Sequence, residues 1–176
     1  MKNKIFIIVG SIFILSGLLM LVLPFTIELD NKEEKIIASS DEYMRLSIPK
    51  IKLDKPIYKI DDKMNDVDKG IELLTTDTPD QDNSKIVLAS HSGNSKISYF
   101  KKLNKIKKGN LITLKYDGKT YTYKYEKKYS IKKNGKAKII TKKNKRSLAL
   151  ITCDKKNKKK QWVYIAYQIS VDEDAF

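Results

Sequence analysis

The sequence predicts a mainly β protein: a closed or nearly closed β-barrel of about seven to eight short strands with one or two short helices, preceded by a single N-terminal transmembrane helix. Three observations support this fold class. Residues 5–27 contain no charged side chain. From residue 44 onward, short apolar runs are divided by Pro, Asp and Gly, as strands are divided by turns. Residues 96–107 carry apolar side chains at helical spacing.

The first element is the predicted membrane anchor. Its 23 residues, 5–27, would span roughly 35 Å as a helix, enough to cross a bilayer. Lys2 and Lys4 precede the run, and Glu28 and Asp30 follow it. Since positive charge stays inside, we expect a single-pass protein of the cell membrane with a cytoplasmic N-terminus and an extracellular remainder.

A cleaved signal peptide is the competing interpretation of the same run. Its apolar core would be about 7–15 residues long and followed by a small-residue cleavage site. This run is longer and ends near Leu23-Pro24-Phe25, without an Ala-x-Ala pattern. We therefore predict a cytoplasmic tip and transmembrane anchor at 1–27, a polar extracellular stalk at 28–43, and a barrel domain at 44–176.

The barrel domain begins with strand-like segments at 45–49, 56–60 and 71–76, and a nearly continuous apolar strand follows at 85–91. The helix at 96–107 comes next, with Gly109 as its stop signal.

The second half of the domain contains a predicted hairpin and a predicted strand pair. Apolar residues alternate over 112–116 and 121–125 on either side of Asp117-Gly118, a tight-turn sequence. Strands at 147–153 and 162–169 are joined by a basic loop.

Charge is distributed unevenly along the chain. Residues 101–160 hold 22 Lys and one Arg against three acidic residues, whereas the whole chain carries +15. Such a surface suits a polyanionic neighbourhood, or is only a well-solvated face. Lys outnumbers Arg by 34 to 2, which disfavours base-specific recognition, so we expect no nucleic-acid partner.

Cys153 and His91 are the only cysteine and histidine, so no internal disulfide can form and a zinc site would lack ligands. Each residue ends an apolar strand, where functional groups often lie. A Cys thiolate is a strong nucleophile that an adjacent His can activate. Each position also fits a structural residue, and the 62 residues between them do not predict proximity.

Four segments, in order, resemble the sortase family. The segment LALITC at 148–153 is similar to the signature Thr-Leu-x-Thr-Cys, and VLASHSGNSKISYFKKL at 87–103 resembles the sortase histidine region. Lys-Lys-Gly-Asn at 107–110 matches the usual Lys-x-Gly-Asp, and SIPKIKLDKPIY at 47–58 resembles the opening strand pair.

The resemblance is closest to simple, lidless class A/D-like sortases. No Asp-Pro-aromatic lid precedes the first strand, and the segment from Tyr129 to Ser147 leaves little room for an extra helix.

The resemblance implies a cysteine transpeptidase of a Gram-positive cell surface, in the cysteine-peptidase class of hydrolases. Cys153 would cleave an LPxTG-like sorting signal through a thioester, and His91 would move the proton. The acyl group would pass to an amine of a peptidoglycan precursor or of a pilin. Ser90 and Thr152 would lie near the site, and no cofactor is implied.

One position departs from the family pattern. Sortases carry an Arg on the strand that returns after the Cys loop, and Gln161 stands there in this chain. Gln donates a hydrogen bond but has no charge. Arg45, Lys159 and Lys160 are candidates to supply the missing charge.

Three further hypotheses remain open. Asp61, Asp62, Asp66 and Asp68 form an acidic cluster that fits either a calcium site or an ordinary polar loop. The domain could also be a catalytically weak module that binds cell-wall polyanions, or a peptidase that only hydrolyses its substrate.

Overall fold

A computed structural model describes residues 42–173, whose eight strands form one sheet that curls into a nearly closed barrel. This confirms the mainly β prediction. The predicted anchor and nearly all of the stalk lie outside the described residues. Within residues 42–173, no helix is long and apolar enough to cross a membrane. The strands are β1 Met44–Ile48, β2 Leu53–Ile57, β3 Glu72–Leu73, β4 Lys85–Ala89, β5 Leu111–Tyr116, β6 Lys119–Lys132, β7 Ser147–Cys153 and β8 Lys160–Glu173.

The strand order is β2-β1-β5-β6-β8-β7-β4-β3, and β4 and β7 form a parallel pair. The predicted hairpin joins β5 to β6. Asp117 (φ 49°) and Gly118 (φ 66°) both adopt the left-handed backbone conformation that a two-residue hairpin turn requires. β6 and β8 are each 14 residues long, far beyond the predicted 121–125 and 162–169, because they pair with each other along their whole length.

Strand β7 is buried on both faces, which explains its continuous apolar sequence. Leu148 and Leu150 point into the barrel core, and Ala149 and Ile151 pack in a second cluster on the other face. Ile139, from the segment between β6 and β7, packs against that second cluster. Residues 133–146 contain no helix.

The predicted helix is shorter and tighter than expected. It is a 3₁₀-helix, η2, at Tyr99–Lys105, and a three-residue 3₁₀-helix, η1, lies at Pro49–Ile51. The buried residues of η2 are Phe100 and Leu103, whose spacing of three matches a 3₁₀ turn. Ile106, predicted as helical, has an extended backbone.

Candidate active site

The parallel pairing of β4 and β7 brings the two predicted catalytic residues to one edge of the sheet. Ala89 pairs with Ile151, so the chain segments that continue to His91 and Cys153 leave the sheet side by side. Both residues line the same cavity, and the free thiol of Cys153 is partly exposed. The structure thus brings together residues that lie 62 positions apart in the sequence.

Hydrogen bonds from small hydroxyl side chains fix these two strand ends to each other. The hydroxyl of Thr152 donates to the backbone carbonyl of Ser90 at 2.8 Å, and both residues are buried. The Ser92 hydroxyl donates to the carbonyl of Cys153 at 2.7 Å. The Ser90 hydroxyl donates at 2.9 Å to the carbonyl of Gly70, just before β3, and so ties the end of β4 to a third segment. Ser90 and Thr152, predicted near the site, therefore help to position it.

His91 is paired with a carboxylate that the sequence did not reveal as a site residue. Its Nε2 lies 2.8 Å from Oδ1 of Asp68, an exposed pair in which the histidine side chain is 36% accessible. Such a contact favours one ring orientation. Nearby Glu72 lines the same cavity; burial, and behind it the charges of Asp66 and Asp68, raises the pKa of Glu72.

Lys133 is the cation that lies against the thiol. Its Nζ is 3.7 Å from the Cys153 Sγ, and its backbone N–H donates to the carbonyl of Lys159. Gln161 is the direct cross-strand partner of Cys153 in the β7–β8 pair and lines the same cavity. Of the three basic residues expected to replace the missing Arg, none lines a cavity at Cys153 within the described residues.

Arg45, one of those candidates, instead pairs with Asp54 and Glu42. Nothing in the sequence distinguishes Lys133 from the other lysines, since its role depends on how the segment after β6 turns back over β7.

Two cavities meet at Cys153. We name the first, of about 300 Å³, the histidine cavity; His91, Lys133 and Gln161 line it together with apolar residues such as Leu74 and Ile151. We name the second, of about 350 Å³, the basic cavity; six of its lining residues are Lys101, Lys128, Lys155, Lys156, Trp162 and Tyr164. Cys153 and Thr152 line both.

Two carboxylates of the acidic cluster that prompted the calcium hypothesis accept hydrogen bonds from their own loop. Asp62 accepts the backbone N–H of Met64, and Asp66 accepts that of Asp68. Among residues 42–173, no group of three or more His, Cys, Asp or Glu side chains is arranged to hold a metal ion. Calcium binding stays an untested hypothesis.

A family model for the sortase domain matches residues 46–169, well over half of the chain. The chain belongs to the sortase family. Sortases are cysteine transpeptidases, which act on substrates with sorting signals and on amine acceptors. No curated protein sequence matches this sortase.

Solved structures similar to this sortase include members of two classes. Sortase C-3 from Streptococcus pneumoniae matches with a TM-score of 0.66 and 23% identity, over 77% of this chain and 67% of that one. Sortase A from Listeria monocytogenes matches with a TM-score of 0.64 and 20% identity, over 77% of this chain and 92% of that one. At this identity the likeness establishes the fold.

Proposed function

We propose that this sortase is a membrane-anchored transpeptidase that cleaves an LPxTG-like sorting signal through Cys153 and transfers the acyl part to an amine of a peptidoglycan precursor or of a pilin. The observation that carries the proposal is the meeting of His91, Cys153 and Lys133 in one cavity, with the lysine ammonium 3.7 Å from the sulfur. Nucleophile, acid–base group and cation are the parts that thiol-based acyl transfer requires.

The reaction has two balanced halves. The Cys153 thiolate attacks the carbonyl carbon of the Thr–Gly bond, the C–N bond breaks, and His91 gives a proton to the leaving amine. The product of this half is a thioester. The incoming amine attacks the thioester and loses its proton to His91, a new amide bond forms, and the thiolate is released.

Lys133 and Gln161 would together replace the arginine that other sortases carry at the position of Gln161. The lysine ammonium offers charge next to the sulfur, and the Gln161 side-chain amide offers a neutral donor from the strand opposite Cys153. Both would favour negative charge on the sulfur or on the carbonyl oxygen during attack.

The cellular setting and the subclass belong to the same proposal. The charges around residues 5–27 favour an external catalytic domain. For the A/D-like assignment, the expected lack of an extra helix is supported by residues 133–146, which contain no helix, and the lack of a lid is proposed from the sequence before the first strand.

A catalytically weak, polyanion-binding module is the second candidate. It is favoured by the neutral Gln161 and by the exposed lysines of residues 101–160. The transpeptidase would form a covalent acyl intermediate at Cys153, and the binding module would not.

The test is intact-mass spectrometry of the full chain in mild detergent, mixed with an LPxTG-like peptide library, with and without a glycine-based amine. We expect an acyl adduct on the wild-type chain, none on Cys153→Ala, and an amide-ligated product that depends on the amine. A folded wild-type chain that forms no adduct with any peptide would reject the proposal and favour the binding module. An adduct that yields only hydrolysis when amine is present would favour a plain peptidase.

A further inference from the structure

The basic cavity next to Cys153 has a strong excess of positive charge. Lys101 comes from η2, Lys128 from β6, and Lys155 and Lys156 from the loop between β7 and β8. Asp154 is the one acidic residue in its lining. Lysines from three separate elements therefore surround a space of about 350 Å³ that opens onto the thiol.

Within the part of the chain that the structure describes, this charge is not offset by ion pairs. Among residues 42–173, no carboxylate lies within ion-pair distance of any of these four lysines. The Asp154 carboxylate accepts the backbone N–H of Lys156 at 2.9 Å, which holds it in its own loop. Burial raises the pKa of Tyr164 to about 12, so this cavity-lining phenol stays neutral near pH 7.

One of the lysines is held over an aromatic surface. Lys128 Nζ lies 4.7 Å from the centroid of the Trp162 ring and 5.6 Å from that of Tyr164, its cross-strand partner. Cation–π contacts of this kind hold an ammonium in place, and the N–H donors that do not face a ring can still bind a ligand. The cavity thus has an aromatic wall for an extended peptide and a positioned cation beside it.

The histidine cavity has a different character. Its lining contains one acidic residue, Glu72, beside Lys133 and Lys136, and Val67, Leu74 and Ala137 contribute apolar surface. The two sides of Cys153 therefore present different chemistries, one mixed and partly apolar, the other cationic and aromatic.

We propose that the basic cavity is a binding site for a carboxylate-bearing segment of a peptidic substrate, contributed either by the donor peptide or by the acceptor amine. This inference rests on the proposed transpeptidase function and adds a preference for acidic substrates to it. Charge complementarity at such a site raises both the association rate and the selectivity.

The first experiment measures binding without chemistry, using the full chain with Cys153→Ala in nonionic detergent. Two pairs of fluorescent peptides are compared by anisotropy at low salt. The donor pair is an LPxTG-like peptide flanked by Glu-Glu or by Gln-Gln; the acceptor pair is a glycine-based amine extended by the same two dipeptides. We expect the acidic member of at least one pair to bind about tenfold more tightly, with a difference that shrinks as salt is raised.

The matched control removes the same number of lysines at positions that do not line the basic cavity. The cavity variant is Lys101→Gln/Lys155→Gln/Lys156→Gln. The control variant is Lys102→Gln/Lys105→Gln/Lys158→Gln, which removes three exposed lysines from the same helix and loop, none of them lining the cavity. We expect the preference for the acidic peptide to fall to about twofold or less in the cavity variant and to persist in the control. Circular dichroism verifies that both fold.

The difference in affinity between acidic and neutral peptides tests the proposed site. A preference in the donor pair alone, or in the acceptor pair alone, supports the site and identifies the source of the carboxylate. Equal binding of acidic and neutral peptides in both pairs, or equal losses in both lysine variants, overturns the inference. Adduct formation by the wild-type chain reports separately on the proposed function, so a preference without any adduct keeps the site and rejects the transpeptidase.

Discussion

At the scale of single residues, Cys153 combines a rigid backbone with a partly exposed side chain. Its strand is buried up to Thr152, and the Cys153 carbonyl accepts the Ser92 hydroxyl, so the backbone has little freedom. Cys153 lies where the histidine cavity and the basic cavity meet and is partly exposed. A nucleophile held in this way reaches a substrate carbonyl without the entropy cost of ordering a loop.

The Lys133 ammonium beside Cys153 should contribute to the rate of acyl transfer. We expect Lys133→Met to slow acyl-adduct formation about tenfold, because the ammonium that stabilises developing negative charge at the site is lost while side-chain length is kept. The effect should be smaller than for a buried oxyanion donor, because the contact is exposed and screened by water. The measurement is the rate of adduct formation with a saturating donor peptide.

Lys132→Met is the matched control for this prediction. Lys132 is the adjacent exposed residue on β6, and it lines neither cavity at Cys153. Equal rates for Lys133→Met and the wild-type chain would mean that the ammonium beside the sulfur has no part in the chemistry.

At the scale of secondary-structure elements, the β4–β7 pair determines where the site forms. A parallel pair needs a long connection, and here it contains η2, β5 and β6. The pair ends at the same edge of the sheet, where Thr152 donates to Ser90 across the two strands. The site therefore depends on the register of one parallel pairing.

Thr152→Val tests that dependence. The substitution keeps shape and removes the hydroxyl, leaving the buried Ser90 carbonyl without this donor. We expect a loss of about 1–2 kcal/mol in the free energy of unfolding. Adduct formation should also slow several-fold, because the two strand ends are less firmly held. Urea unfolding and adduct kinetics measure the two effects.

Thr113→Val is the comparison variant, since Thr113 is a half-buried β5 residue that lines neither cavity. Unfolding free energies that change equally in the two variants would show that the Thr152 hydroxyl gives the strand ends no special stability.

Most elements were predictable from local patterns, although β2 lies at Leu53–Ile57 and not at the predicted 56–60. Alternation and the Asp117-Gly118 turn identified the β5–β6 hairpin, and the continuous apolar runs identified β4 and β7. The length of β8 was underestimated because residues 170–173 are exposed and, apart from Val171, polar. The 3₁₀ geometry of η2 was missed because apolar spacings of three and four fit an α-helix equally well.

The contacts of the site were less predictable than its strands. The positions of Cys153 and His91 at strand ends were visible in the sequence, but their side-by-side placement depends on long-range pairing. The His91–Asp68 contact joins residues 23 positions apart, and the Lys133 contact requires a loop that turns back over β7. No local pattern encodes either contact.

At the scale of the whole molecule, the proposed membrane anchor leads to an expected orientation of the barrel domain. Lys2 and Lys4 precede the uncharged run of residues 5–27, and Glu28 follows it, which predicts an external domain. The single cysteine provides a direct probe, because an impermeant maleimide reaches Cys153 in intact cells only if the domain is external.

We expect intact cells that express the full chain to label at Cys153, and the labelled chain to sediment with membranes after lysis. The reciprocal variant, Cys153→Ala/Asn3→Cys, moves the only thiol to the other side of the predicted anchor and should label only after permeabilisation. Labelling of this variant in intact cells would contradict the orientation. Release of the wild-type chain into the medium would instead indicate that the apolar run is cleaved as a signal peptide. Since sorting-signal proteins and cell-wall amines both lie outside the membrane, an internal Cys153 would also leave the proposed transpeptidase without its substrates.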